Sequence, residues 1–426
     1  MNNLWPALIG LSLMALALFI SWMFLGPKPK IIVSCWGDFQ ENKILIGLID
    51  EFQRRNPGVV VFLRRFPVEK YAKGVLADIE QGVGPDVVFM DAGIFPDFYF
   101  ADVLQPLNRF LGSGSSGLEG FSPEAVEAFT VDGKTYVIPR DAAPVCVVYY
   151  NKRAFDEAKV SYPNDDWDWN DFLDKAQKLT VATGMGEVTR WGLVEQWSIH
   201  PNWVYSAGGS YVDDLKKPTR WTFATDPKSA EGIQFRRDLV QKYRVLHSSL
   251  NEAADVEPRY RFVNGTAAMF VSGIWQTPYF RETVKDFPWD VAMLPKGLRG
   301  QRGYFMSGSG YGILRGARDK KLAWKFVQFL TGAEGARKFA SQGLTQSALK
   351  SVASSEAFLD GKTPLNKKML LGALPYGKGV PLCRNWSQIQ EELTLELDDV
   401  WKGRRSVEEA MARLRPLLEK NPPVTH

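Results

Sequence analysis

Cysteine and histidine are scarce in this chain, with three of each in 426 residues. Cys35, Cys146 and Cys383 are too few for a disulfide framework, and their wide separation matches no local metal motif. Histidines at 200, 247 and 426 leave little material for imidazole chemistry. An excess of charge of one sign is missing too. Fifty-two basic residues stand against 48 acidic ones, a formal net charge of +4. That balance lacks the clustered footprint of a nucleic-acid-binding protein. No internal repeat, nucleophile elbow or zinc motif occurs. Residues 112–117 (GSGSSG) lack the Lys-Ser/Thr ending of a phosphate-binding loop and read as a flexible connection. What remains is an ordinary globular composition, 45% hydrophobic and 23% charged, long enough for two or three domains. Aromatic residues are plentiful at 13%, including 14 tryptophans.

The run from Leu4 to Leu25 (LWPALIGLSLMALALFISWMFL) carries no charge. At about 1.5 Å per residue it can cross a hydrocarbon core of roughly 30 Å. It lacks the basic n-region and the clean small-x-small site of a cleavable leader. An uncleaved anchor is the first reading and a removed signal peptide the second. Lipidation at Cys35 ranks last, because Ile32-Val33-Ser34-Cys35 also opens the first strand. The lysines at 28 and 30 run against an exported body on the positive-inside rule. Export is still the better account of one span joined to a soluble body, which places that body on the periplasmic or extracellular face of the cytoplasmic membrane.

From residue 30 the pattern alternates strands and helices. Residues 30–35 (KIIVSC), 59–63 (VVVFL) and 86–90 (DVVFM) are short apolar runs suited to buried parallel strands. Between them, Leu45, Leu48, Ile49 and Phe52 mark one helix face, and Tyr71, Val75 and Ile79 another. This β-α-β-α-β order predicts a parallel sheet with helices on both sides. Residues 145–150 and 191–194 read as further strands. Asp226-Pro227 starts a helix carrying Ile233, Val240 and Tyr243, and Ser406–Glu409 forms a capping box for the final helix.

In such sheets a ligand binds beyond the carboxyl ends of the strands. There the first strand offers Trp36-Gly37-Asp38 and the third offers Asp91-Ala92-Gly93. An indole and two carboxylates suit a sugar, whose apolar face stacks on aromatics while its hydroxyls donate to carboxylates. The competing reading has Trp36 packing beneath a loop and Asp91 capping a helix. No evident basic cluster accompanies them, which argues against phosphorylated ligands.

Several segments are familiar in this order: residues 52–61 (FQRRNPGVVV), 84–88 (GPDVV), 104–107 (LQPL), 132–139 (DGKTYVIP) and 149–152 (YYNK). Residues 262–269 (FVNGTAAM) with Gly273-Ile274-Trp275, then 308–313 (GSGYGI) and 323–331 (AWKFVQFLT), continue the series. Together they resemble the extracellular solute-binding proteins of carbohydrate ABC importers, the maltose-binding-protein-like family 1. The resemblance covers nearly everything after residue 30; the apparent anchor departs from the family's usual cleaved signal or lipobox. It implies a two-lobed α/β periplasmic-binding-protein fold of type II, each lobe a sheet flanked by helices, preceded by the N-terminal apolar segment of residues 1–29. Lobe 1 would take 31–139 plus 310–345 and lobe 2 would take 140–309 plus 346–426, with a hinge near 138–141 and 305–310.

The resemblance adds Asp141, Trp203, Gly208-Gly209, Trp275, Tyr311 and Arg384 to Trp36, Asp38 and Asp91 as ligand candidates. Trp275 has a core reading as its alternative, and Arg384 a surface one. Trp167, Trp169, Trp191, Trp221, Trp289, Trp324 and Trp401 are assigned to packing. The implied function is binding without catalysis of a sugar or related polyol and its delivery to permease subunits, by a monomer that needs no cofactor or metal. Two other classes compete. Asp38 and Asp91 across a cleft also describe a glycoside hydrolase, and a sensory or adhesion protein could use the same fold.

Overall fold

The computed structural model of the chain describes residues 31–112, 117–196, 199–247 and 256–425. The run from Leu4 to Leu25 and residues 113–116 of the glycine-serine loop lie outside them. The elements that position the site begin with β1 (Ile31–Cys35), α1 (Phe39–Arg55), β2 (Val61–Arg65), α2 (Tyr71–Glu80) and β3 (Val87–Asp91). Next come β4 (Val137–Pro139), β5 (Val147–Asn151), α3 (Trp169–Leu179), β6 (Val181–Ala182) and β7 (Val188–Glu195). Then follow α4 (His200–Ser206), α5 (Pro227–Gln241), α6 (Val256–Val263), β8 (Ala267–Ser272) and β9 (Trp289–Met293). The chain continues with β10 (Ser309–Ile313), α7 (Lys320–Thr331), α8 (Trp386–Trp401) and α9 (Val407–Lys420).

Two five-stranded sheets organise the molecule, in the orders β2-β1-β3-β10-β4 and β9-β5-β8-β7-β6. In the first sheet β1 runs parallel to β2 and β3, as the β-α-β-α-β pattern requires. The expectation of a parallel sheet fails at its fourth strand. β10 lies antiparallel to both β3 and β4, with Tyr311 opposite Phe89 and Ile138, because it enters from the second sheet rather than through a crossover helix. The second sheet is mixed as well: β8 is parallel to β7 and antiparallel to β5.

Alternation along β3 shows how the first sheet is covered. Val87 and Phe89 join a core with α1 and α7, through Leu45, Leu48, Phe52, Phe326 and Leu330. Val88 and Met90 join a core on the other face with Tyr71, Val75, Phe95 and Phe98. Asp86, expected as the first residue of the strand, sits just before it and is 1% exposed. Its carboxylate accepts from the Ile32 and Arg318 backbone N–H groups, each at 2.7 Å, so it staples β1 to the loop after β10. The capping signals at 226 and 406 are both realised, although α5 ends at Gln241, before Tyr243. Helices α8 and α9 share a core with Val204, Tyr211 and Ile233 beside the second sheet.

The chain passes between the sheets three times, and the three segments are knitted together. Arg140 N–H donates to Ser309 O at 2.7 Å, Ser307 N–H to Ala143 O at 3.0 Å, Ala142 N–H to Gln346 O at 3.1 Å, and Ala348 N–H to Arg140 O at 3.1 Å. Gly310 has no left-handed φ here. Its role is close approach: a Cβ there would lie 2.3 Å from the Ile138 carbonyl oxygen.

Candidate ligand-binding crevice

Beyond the carboxyl ends of β1, β2 and β3 lies a crevice of about 630 Å3, within the usual range for small-molecule sites. One wall comes from the first sheet (Trp36, Asp38, Arg65, Phe89, Asp91) and the other from the second-sheet side (Gln196, Arg259, Trp275, Gln276). Arg140, Asp141, Ser307 and Ser309, from the crossing segments, line it as well. A wider hollow of about 1120 Å3, bordered by Phe121, Val126, Lys216 and Leu382, has no tryptophan among its described walls and lies away from these strand ends.

The turn after β1 places its residues through local backbone chemistry. Gly37 has φ +132, and a Cβ there would meet Glu41 Oε2 at 2.8 Å, so glycine is needed for the chain to fold tightly onto α1. Asp38 caps α1 by accepting from the Glu41 N–H at 2.9 Å while also lining the crevice. Trp36 is half-buried, edge-on to Tyr71 at 4.7 Å and tilted on Phe89 at 4.6 Å. Asp91 Oδ1 accepts from the Gly93 and Ile94 N–H groups at 2.9 and 3.1 Å, and its Oδ2 accepts from the Ser307 hydroxyl at 3.3 Å. Burial outweighs those bonds and pushes the Asp91 carboxyl up to about 6. Capping and crevice placement thus coexist at Asp38, whereas Asp91 closes the turn after β3 without capping the helix that follows at Phe95–Phe100.

Under the crevice, a buried ionic knot joins the crossing segments. Asp141, 1% exposed, accepts from the Ser309 N–H and hydroxyl at 2.8 Å each and from Arg140 Nε at 2.7 Å. Arg140 also pairs with Glu41 and lies 4.6 Å from the Phe89 ring centre. Burial alone would lower the Arg140 pKa; Asp141 and Glu41 outweigh it and hold the guanidinium above its ordinary value. Glu41 is shifted upward by burial against the pull of Arg140. On the opposite wall, Trp275 Nε1 donates to Gln196 Oε1 at 3.2 Å, and Gly273 leaves the space into which the half-buried indole folds. Trp275 packs against the cores of both sheets.

Of the nine ligand candidates, the structure gathers Trp36, Asp38, Asp91, Asp141 and Trp275 along this crevice. It places four elsewhere. Trp203 is fully buried on α4 among Trp169, Phe172 and Phe235. Gly209 packs against Ser229, where a Cβ would lie 2.6 Å from the hydroxyl. Tyr311 is 1% exposed beneath Phe89, its ring 5.2 Å away. Arg384 is exposed, its guanidinium 5.7 Å from the Phe100 ring. The seven tryptophans assigned to packing do pack: Trp324 stacks on Phe110, Trp191 meets His247 edge-on, and the other five are buried.

Sequence reasoning missed Glu41, Arg65, Arg140, Gln196 and Arg259. Arg65 ends β2, so the strand-end rule could have found it. Arg140 adjoins a named candidate. Arg259, on α6, had no local signal. These three arginines correct the expectation that the crevice lacks basic residues. Among the described residues no group of three or more histidine, cysteine or acidic side chains could hold a metal, and all three cysteines are buried and unpaired.

Residues 47–363 match the family model described as bacterial extracellular solute-binding protein. A putative binding protein of Brucella abortus is 21% identical over 375 residues, covering 87% of this chain and 88% of that one. The sn-glycerol-3-phosphate-binding periplasmic protein UgpB of Escherichia coli is 25% identical over 290 residues, 62% of each chain. Among solved structures, a Listeria monocytogenes ABC substrate-binding protein in complex with cycloalternan superimposes with a TM-score of 0.81 at 24% identity, covering 92% of this chain and 98% of that one. Maltose-bound MalE3 of T. maritima gives 0.80 at 20% identity, covering 92% and 100%.

Proposed function

From the premise that the chain belongs to the bacterial extracellular solute-binding proteins, we propose that it holds a sugar or related polyol between its two sheets and hands it to an ABC importer permease without transforming it. The observation that carries this reading is the pair of half-buried indoles, Trp36 from the first sheet and Trp275 from the second, on one crevice of about 630 Å3 beside Asp38 and Asp91. Indole faces stack on the apolar faces of pyranoses, and the carboxylates keep acceptor lone pairs for hydroxyls. The maltose and cycloalternan named for structures of the same fold are ligands of this chemistry.

A thermal-shift screen against mono-, di- and oligosaccharides and polyols tests the reading. A ligand at a hundred times its dissociation constant adds about 2.7 kcal/mol of stability. A panel that leaves the midpoint unmoved would sink it. The glycoside hydrolase reading predicts new reducing ends from oligosaccharides; turnover abolished by Asp91→Ala would replace binding with catalysis.

The same proposal covers the moving bodies, 31–139 plus 310–345 against 140–309 plus 346–426, and an anchor at the run from Leu4 to Leu25. Among the described residues no helix is long and apolar enough to cross a membrane. Full-length protein that stays with membranes through a carbonate wash supports the anchor; a soluble mature form beginning after residue 20 replaces it with a cleaved signal.

A further inference from the structure

The three arginines on the crevice are not equivalent. Arg140 is 7% exposed and neutralised in place by Glu41 and Asp141. Among the described residues Arg259 and Arg65 have no such compensation. Among the described residues Arg259 makes no ion pair, and its Nε is enclosed without a hydrogen-bond partner. Its guanidinium is held 4.9 Å from the Tyr279 ring centre. Among the described residues the exposed Arg65 guanidinium donates to the Gly37 carbonyl alone, at 3.5 Å, the outer limit of a hydrogen bond. A buried donor without an acceptor is costly and rare in a native fold, and a guanidinium presents a planar fork that fits carboxylate or phosphate oxygens.

The acidic residues of the crevice do not supply the missing acceptor. Asp141 is taken up by Ser309 and Arg140, Glu41 by Arg140. Asp38 and Asp91 accept from backbone N–H groups on the first-sheet side. Arg259 belongs to α6, which precedes β8 in the second sheet, so the two uncommitted cations approach the crevice from opposite walls.

Resting on the reading of this crevice as a polyol site, we propose that its ligand also carries an anionic group, a phosphate or a carboxylate, and that Arg65 and Arg259 hold that group between the two walls. Hydroxyls of the same ligand then meet Asp38 and Asp91. The anion satisfies Arg259 Nε and links the walls through charge-assisted hydrogen bonds that neither wall makes alone.

Matched neutral and anionic probes decide the point: glycerol against sn-glycerol 3-phosphate, and glucose against glucose 6-phosphate and glucuronate, titrated by calorimetry at low and moderate salt. The expected result is an anionic partner bound about tenfold tighter or more, with an advantage that shrinks as salt rises. Arg259→Met and Arg65→Met, each shown folded by circular dichroism, should each cut the anionic-to-neutral affinity ratio about tenfold or more. The two glucose derivatives separate a phosphate from a carboxylate preference. Neutral probes that bind as tightly as their anionic partners, or a ratio unmoved in both variants, would overturn the anionic proposal and leave sugar binding standing. Failure of every probe, and of the neutral sugar panel, to bind folded protein would overturn both.

Discussion

Asp91 combines a crevice position with a carboxyl held near pH 6 by burial. Because the folded state keeps its proton to higher pH than the unfolded chain does, stability falls as pH rises between about 4 and 6 and is level above that window. Asp91→Asn retains a carbonyl acceptor for the Gly93 and Ile94 N–H groups and cannot ionise. It should therefore lose the Asp91 share of that slope and gain up to about 3 kcal/mol relative to wild type at pH 7. Urea unfolding of both proteins at pH 4.5, 5.5 and 7 checks this, and parallel pH profiles would refute it. Trp275→Ala should weaken ligand affinity about ten- to a hundredfold. Its stability cost should stay below the roughly 3–5 kcal/mol of a fully buried aromatic, since the indole is only half-buried. One titration and one unfolding curve suffice; normal affinity would remove Trp275 from the site. Trp36, Asp38 and Asp91 were legible because strand order alone carries them to the crevice. Trp203, Gly209, Tyr311 and Arg384 came from resemblance of position, which does not report whether a side chain points into the core.

At the scale of elements, the periodicities of α1 and α2 and the caps of α5 and α9 were readable because each depends on neighbours within a few residues. The direction of β10 was not: its pairing with β3 and β4 bridges more than 150 residues of chain, and no local pattern encodes that. The ionic knot was hidden for the same reason. Arg140 and Asp141 are adjacent in sequence, but Ser309 and Glu41 meet them only once the segments cross. Removing Asp141 strips the Ser309 N–H and hydroxyl and Arg140 Nε of their buried acceptor and leaves Arg140 with Glu41 alone. Asp141→Ala should thus cost about 3–5 kcal/mol, and Asp141→Asn less, because an amide oxygen still accepts from the Ser309 N–H. Denaturant midpoints of the two variants give the comparison; equal midpoints for Asp141→Ala and wild type would show that the knot contributes nothing.

For the whole molecule, a ligand gripped from both sheets should draw the two lobes together about the crossing segments. Small-angle scattering should report a smaller radius of gyration at saturating ligand, and an unchanged radius would count against closure. The three crossings also impose an order on synthesis. All five strands of the second sheet lie between residues 147 and 293, so that sheet has its full complement before the first one does. β4 leaves the ribosome early but pairs only with β10, which begins at Ser309. Until then the first sheet has three strands and an open edge at β3, and the nascent chain carries an unpaired segment across the whole interval in which its second half is made.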